Sequence, residues 1–496
     1  MSYRLVVIGL ESLRSRLAGP GLGGPEWLIL LAVGVMAVGS AAHALLRKRD
    51  PRAALGWIAV CLTFPVAGPI IYFFFGVNRI ATRAKRLGAR WSETLEVVDP
   101  GHSGVDPRGP GAEGVPPDLA ELVRISDAVT HRPLLGGNRL EPLHCGEEAY
   151  PPMLAAIEEA SESVYLSTYI FDSDETGRRF LYALERAHER GVRVRVLIDG
   201  VGELYSWPRV GKILAGLGVP VASFLPPRLV PPAFHINLRS HRKILVADGR
   251  VGFTGGMNLG GRHLAASKRS SSIDMHFRLE GPIVAQLEEV FRQDWWFVTD
   301  EHLEPCGAIE ANSGEALCRT VVDGPNEDLD KLLMIVIGAV SAARHRVAIM
   351  TPYFLPPREL MAALEAAALR GVDVSIILPA KNNLPYMHWA TRNQLWELVR
   401  RGVEVSYQPP PFVHTKLLLV DDHYAQIGSA NLDPRSLRLN FEVAVEVFDP
   451  GFSKKVGEHF AEVRTASAGI TLEDLENRSL PVRLRDAAAW LFSPYL

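Results

Sequence analysis

The stretch HTKLLLVDDHYAQIGSAN, residues 414–431, decides how this chain is read. It sets His414, Lys416, Asp421, Gly428, Ser429 and Asn431 at fixed offsets. The apolar run Leu417 to Val420 predicts a buried strand, followed by a tight turn and a second strand. Residues two apart on a strand share a face, so His414 and Lys416 are expected to point the same way. An imidazole beside an ammonium suits a phosphate.

The same pattern occurs earlier as HRKILVADGRVGFTGGMN, with His241, Lys243, Asp248, Gly255, Gly256 and Asn258 at the matching offsets. Two copies with identical internal spacing make chance a poor explanation and imply a duplicated unit. The surrounding chain repeats as well. SVYLSTYIF (163–171), a helix through Arg178 to Arg190, and RGVRVRVLID (190–199) precede the first copy. RVAIMTPYF (346–354), a helix through Leu360 to Arg370, RGVDVSIILP (370–379) and LVRRGVEVSYQ (398–408) precede the second. Strands and helices that alternate in this way predict a layered α/β fold, with crossovers that would make much of each sheet parallel. A strand and a helix close each half, at 274–279 with 282–297 and at 441–447 with 451–465.

The duplicated pattern resembles the signature of the phospholipase D superfamily. That resemblance implies two α/β/α domains packed about a pseudo-twofold axis, with both motifs at one site. The domain boundaries read as 118–305 and 306–470, followed by a helical tail at 471–496. The tail places Leu484, Ala488, Trp490 and Leu491 near Arg483 and Arg485, which suits either a helix on a bilayer surface or one docked on the catalytic core.

A composition of 47% hydrophobic and 22% charged residues excludes a disordered chain, and a net charge of −3 lacks the basic excess of a general nucleic-acid binder. Cys61, Cys145, Cys306 and Cys318 are scattered without a CxxC pair, which mildly favours a reducing compartment. Upstream of the repeat, Trp27 to Leu46 carries no formal charge and is long enough for a hydrocarbon core of about 30 Å. After RKRDPR comes a second apolar run, Ala53 to Gly76. The two predict a transmembrane hairpin over 27–78, after an N-terminal segment at 1–26. A cleaved signal peptide, suggested by Ala42-His43-Ala44, is the competing reading of the first run; a buried core helix is that of the second. Residues 79–117 read as a juxtamembrane segment and linker, dense in Gly and Pro from Val97 onward. Arg79, Arg83, Lys85, Arg86 and Arg90, together with Arg4, Arg14 and Arg16, favour a cytoplasmic catalytic part over the loop of Arg47, Lys48, Arg49 and Arg52.

Two histidines on opposite sides of a phosphorus divide the chemistry. One attacks to give a phosphohistidine, and the other protonates the departing alcohol and later deprotonates the incoming one. Lys243, Lys416, Asn258, Asn431 and Ser429 are the expected donors to the non-bridging oxygens. Each histidine also needs a partner on its other ring nitrogen. Asp274, downstream of His241, and Glu442, downstream of His414, are the candidates, placed on the strand after each motif, where the superfamily carries such an acid. Asp248 and Asp421 belong to the signature but are given a structural role. No metal or cofactor is required, and a lysine beside each histidine would repel a cation. Gly256 stands where the second copy has Ser429, so the halves are expected to be inequivalent. The resemblance favours His241 as the nucleophile.

Within the superfamily the chain resembles the bacterial cardiolipin synthases from Trp27 onward. RKRDPRAALGWIAV, FPVAGPIIYFFFG, YIFDSDETGRRF, INLRSHRKILVADGRVGFTGGMNLG, TPYFLPPREL and HTKLLLVDDHYAQIGSANLDPRSLRLNFEV carry the match. The resemblance implies a multi-pass enzyme of the bacterial inner membrane that acts on phosphatidylglycerol and not on nucleic acid. It would transfer a phosphatidyl group from one phosphatidylglycerol to another and release glycerol. A phospholipase D hydrolase, a transferase using another alcohol, a tethered nuclease and a non-catalytic lipid-binding scaffold are the alternatives.

Overall fold

The computed structural model describes residues 25–48, 51–76, 115–227, 238–265, 272–306, 313–324 and 330–493. They fall in two compact units, Met1–Ile80 and Ala81–Leu496. The basic residues at 79–90 and most of the expected linker lie outside the described residues.

In the first unit, α1 (Pro25–Arg47) is an uninterrupted apolar helix. Among the described residues it alone is long and apolar enough to cross a membrane. The second apolar run packs back on it as a hairpin, but it is not the continuous span expected. It divides into α2 (Pro51–Thr63), α3 (Ala67–Ile71) and a wider π-type turn at Tyr72–Gly76. Pro65 explains the break, because it has no N–H for the carbonyl of Cys61 and its ring collides with the preceding turn. Ala41, Ala44, Cys61 and Tyr72 form the contact between the arms, and the Tyr72 hydroxyl lies 2.8 Å from His43 Nδ1. Outside that contact the unit presents leucine, valine and phenylalanine side chains outward.

The second unit contains both halves of the repeat. The strands of the first half are β1 (Leu135–His144), β2 (Ser163–Thr168), β3 (Arg193–Asp199), β4 (Val221–Phe224), β5 (Ile244–Ala247), β6 (Val251–Gly255), β7 (Ser272–Ile273) and β8 (Met275–Glu280). Helix α4 (Glu175–Glu189) crosses from β2 to β3, and α5 (Ile283–Thr299) follows β8. The second half supplies β9 (Ala316–Asp323), β10 (Arg346–Met350), β11 (Asp373–Pro379), β12 (Glu404–Gln408), β13 (Phe412–Val413), β14 (Leu417–Val420), β15 (Tyr424–Gly428), β16 (Glu442–Phe448) and β17 (Ala468–Gly469). Its helices include α6 (Arg358–Leu369), α7 (Pro385–Arg400), α8 (Pro450–Ala466) and the C-terminal α9 (Leu480–Leu491).

One sheet runs through both halves in the order β17-β12-β11-β10-β14-β15-β16-β9-β1-β8-β6-β5-β2-β3-β4. Read outward from the β1–β9 junction, the order 1-8-6-5-2-3-4 repeats as 9-16-15-14-10-11-12, which is the expected pseudo-twofold relation. The sheet is less parallel than expected. Only β2–β3–β4 and β10–β11–β12 run parallel, while the motif strands pair antiparallel with their neighbours. Their connections explain this, since a short turn permits only a hairpin and a parallel pair needs a crossover. Asp248 and Gly249 turn the first hairpin at φ 53° and 66°, and Asp421 turns the second at φ 51°. Aspartate and glycine tolerate that left-handed conformation.

Apolar packing is continuous across the junction. Ile244, Val246 and Phe277 of the first half share a core with Leu417, Leu419, Ile427 and Phe452 of the second. A two-stranded patch made by β7 and β13 also joins the halves.

Candidate active site

Each motif histidine precedes its buried strand rather than lying on it, so alternation along a strand does not set its direction. A backbone contact with the opposite half does. His241 N–H donates to the Phe441 carbonyl at 2.9 Å, and His414 N–H donates to the Ile273 carbonyl at 2.7 Å. Phe441 and Ile273 are the residues immediately before Glu442 and Asp274. The two carboxylates are thereby delivered to the histidine of the other half. His241 Nδ1 lies 3.1 Å from Glu442 Oε2 and 3.1 Å from the Ser429 carbonyl, and His414 Nδ1 lies 2.7 Å from Asp274 Oδ2. The within-half pairing expected from chain order is therefore corrected to a crossed one. With Nδ1–H donating, each Nε2 keeps its lone pair.

The two imidazoles face one cavity of about 1230 Å³ between the halves, with ring centroids 6.4 Å apart. Both carboxylates are fully buried. Burial lowers the His241 pKa, with Glu442 opposing and Lys243 adding to the effect. Burial and the ammonium groups of Lys416 and Lys243 push His414 well below its ordinary value. Burial would raise Glu442, but His241, Lys243 and the Ser429 hydroxyl hold it below the ordinary carboxylate range. Asp274 is pushed up by burial against the pull of Lys416 and His263.

The other predicted residues divide into wall and support. Asn258 and Asn431 line the cavity. The Asn258 side-chain oxygen accepts from Ile170 N–H at 3.0 Å, which leaves its NH2 as the free end, and Asn431 Nδ2 reaches Ser436 Oγ at 3.2 Å. Ser429 differs from expectation: its hydroxyl is buried behind the histidine and donates to Glu442 Oε2 at 2.5 Å. Lys243 and Lys416 also lie behind the cavity wall. Lys243 Nζ donates to the His241 carbonyl at 2.6 Å and Lys416 Nζ donates to that of His414. Burial depresses them to about 7 and about 8 respectively, against the attraction of Glu442 for the first and Asp274 for the second.

Asp248 and Asp421 sit at the far ends of the motif strands. Asp248 accepts from the N–H groups of Ser161, Glu162 and Ser163 and from the Ser161 hydroxyl. Asp421 accepts from the N–H groups of Arg344, His345 and Arg346. Each clamps the start of a neighbouring strand and touches nothing in the cavity.

Several cavity residues carried no motif signal. His263 is buried, its Nε2 accepts from Asn258 N–H at 3.1 Å, and its ring lies 6.3 Å from that of His414. Burial holds it at about 3, so it is a neutral group and not a proton carrier at physiological pH. Asp433, raised by burial to about 7, caps the short helix that begins at Pro434. Tyr169 and Tyr353 also line the cavity. The repeated Thr-x-x-Phe at Thr168 and Thr351, at the ends of the equivalent strands β2 and β10, was the signal available for those two. Among the described residues no group of three or more His, Cys, Asp or Glu could hold a metal ion.

The family described as cardiolipin synthase, phospholipase D-like domain, matches residues 153–295 and 336–464. This chain belongs to the cardiolipin synthase family. Its N-terminal hairpin matches the phospholipase D-nuclease N-terminal family over residues 35–76. The cardiolipin synthase of Geobacillus kaustophilus is 32% identical over 464 residues, covering 91% of this chain and 90% of the relative. The major cardiolipin synthase of Bacillus subtilis is 30% identical over 469 residues, covering 90% and 95%. Among solved structures, phosphatidylserine synthase of Haemophilus influenzae aligns with a TM-score of 0.59 at 16% identity, covering 76% of this chain and 100% of its own, and supports the fold. Both family matches within the second unit bracket a motif histidine, His241 in one and His414 in the other.

Proposed function

We propose that this protein makes cardiolipin by passing a phosphatidyl group from one phosphatidylglycerol to another through a phosphohistidine. The observation that carries the reading is the pair of imidazoles facing one cavity, each held at Nδ1 by a buried carboxylate. His241 Nε2 attacks the phosphorus of the first phosphatidylglycerol. A P–N bond forms, the P–O bond to glycerol breaks, and His414 gives its proton to the departing oxygen. A terminal hydroxyl of the second phosphatidylglycerol then gives its proton to His414 and attacks the phosphorus, breaking the P–N bond. Both histidines return to their starting states.

The Glu442 carboxylate makes the His241 lone pair more basic and stabilises the imidazole as it gains positive charge. His414 must enter the first step protonated although burial favours its neutral form. The phosphodiester supplies the opposite charge, because an anion a few ångströms away raises an imidazole pKa. The Asn258 amide NH2 is placed to hold a non-bridging oxygen, and Lys243 and Lys416 contribute positive potential from behind the histidines. Asp274 and Glu442 orient the histidines, and Ser429 orients Glu442.

The apolar hairpin would keep this site at a bilayer surface where both substrates reside. We assign both arms to the bacterial inner membrane, the second crossing as the broken segment 51–76, and place the catalytic unit on the cytoplasmic side. Membrane cores tolerate a break of this kind where a neighbouring helix covers it.

Wild type and His414→Ala, reconstituted in phosphatidylglycerol vesicles, test the reading by measuring cardiolipin, free glycerol and phosphatidic acid together. Equal amounts of cardiolipin and glycerol, lost in the variant, are expected. Phosphatidic acid without cardiolipin would make the enzyme a hydrolase and overturn the proposal.

A further inference from the structure

Helix α9 is amphipathic in the reverse sense. Its inward face carries a charge, Asp486, which is completely buried. Arg392 of α7 grips that carboxylate through Nε at 2.7 Å and a second nitrogen at 2.9 Å, and Arg478 joins at 2.6 Å. Arg485 completes the clamp at 2.9 Å and lies over the Trp389 ring at 4.5 Å. Ala489 and Trp490 pack beside it on Leu355, Met387 and Ala390. The outward face carries leucines: Leu480, Leu484 and Leu491 are 67%, 61% and 70% exposed, and Phe492 follows at 63%. At 3.6 residues per turn the three leucines fall in one narrow stripe, with Arg483 to one side and Arg485 to the other.

A helix that buries a carboxylate and shows a leucine stripe to water is arranged against the hydrophobic effect unless something apolar covers the stripe. The arginine clamp fixes which face is outward, so the helix cannot relieve the exposure by rolling. We infer that the outward face of α9 lies on the lipid bilayer, with its leucines among the acyl chains and Arg483 at the anionic headgroups. This rests on the phosphatidylglycerol reading above, which supplies an anionic surface, and charge complementarity selects that surface over a second copy of the chain. The position fits. Helix α7, on which α9 packs, begins with Tyr386 and Met387 in the wall of the catalytic cavity. On the first-half side of the same cavity, Tyr205 and Trp207 stand 63% and 86% exposed, the residue types that settle at headgroup depth. Docking α9 would set the cavity mouth at the surface that delivers both lipids.

The full chain, in vesicles of phosphatidylglycerol and phosphatidylcholine, tests this with a fluorophore on Leu484→Cys after the four native cysteines are replaced by serine. Spin-labelled lipid is expected to quench the probe while aqueous iodide barely reaches it, whereas a probe on Glu458→Cys of α8 responds to iodide. Iodide quenching equal to that at Glu458→Cys overturns the inference, as does protection from both quenchers, which would place a protein surface there. Activity supplies a second arm. Leu480→Glu, Leu484→Glu and Leu491→Glu combined should slow turnover of bilayer phosphatidylglycerol by about tenfold or more and leave turnover of a short-chain, dissolved phosphatidylglycerol unchanged. Equal losses on both substrates would make the stripe a structural feature and overturn the proposal. Absence of cardiolipin from the wild type would sink the functional reading instead, and the quenching result would still stand.

Discussion

The two halves share one strand order and differ where they hold their acids. In the second half, Ser429 stands behind the long side chain of Glu442 and donates to it. In the first, Gly256 stands behind the shorter Asp274. A Cβ added at Gly256 would come within 2.4 Å and 2.6 Å of the two Asp274 carboxylate oxygens. A short acid draws its carboxylate back towards its own backbone and fills the space of the hydroxyl, while a longer acid leaves that space open. Gly256 with Asp274 and Ser429 with Glu442 are thus two matched solutions, and the missing hydroxyl is a steric necessity rather than a lost phosphate contact. The electrostatic outcomes differ: Glu442 is held ionised, whereas Asp274 is pushed up by burial. The first-half histidine therefore has the stronger anionic support.

The sharpest way to break this comparison is at the acids. Glu442→Gln should lower kcat by about a thousandfold or more, the scale on which orienting carboxylates act. Asp274→Asn should lower it by about a hundredfold, on the scale of one lost acid–base assistance. Steady-state kinetics on phosphatidylglycerol vesicles, with trapping of the phosphohistidine, would check both, and equal losses would dissolve the asymmetry. Next in size, Gly256→Ser should drive Asp274 off His414 and cost about a hundredfold in kcat, on the scale of lost acid–base assistance. Asp274→Glu added to Gly256→Ser should recover most of it, and failure of that rescue would break the matched-pair account. Ser429→Ala removes one hydrogen bond to a charged group, worth about 1.5–3 kcal/mol, and should cost about tenfold or more in kcat with little change in KM.

The lysines sharpen the comparison by pH. Lys243 titrates at about 7 and Lys416 at about 8, both far below the ordinary lysine value because burial disfavours the ammonium. Their charge is present below those values and lost above them, so KM for the anionic substrate should rise a few-fold across that interval, the first half losing its charge before the second. The smallest catalytic effect is expected at the clamps. Asp248→Ala strips the acceptor from three N–H groups and one hydroxyl and should lower stability by about 2–3 kcal/mol, read as a fall in Tm, with kcat per folded enzyme unchanged.

Much of this was legible in the chain. Two copies of one spacing announced two similar halves, and the positions of Asp274 and Glu442 after equivalent motifs marked them as partners for histidines. Which histidine each would hold was not legible, because the crossing is made by short parallel pairings between distant segments, 239–241 with Phe441 and β13 with β7, and local periodicity carries no trace of them. The chemistry of Ser429 and the two lysines suits a phosphate and so predicts that they face it. Their burial behind the histidines follows from where the chain leaves the strands, a tertiary fact. His263 carries no signal in the chain, since a lone histidine after a glycine pair has no pattern. The composition of the second apolar run predicts a span, and Pro65 and Pro69, which a membrane core tolerates, do not by themselves say that the helix breaks between Thr63 and Ala67.

The crossed pairs also govern how the protein comes into being. When the ribosome has delivered only the first half, His241 has no carboxylate at Nδ1, and Asp274 waits for a histidine not yet made. The first half alone therefore holds one histidine without its acid and one acid without its histidine, and both pairs close only when the second half folds against it.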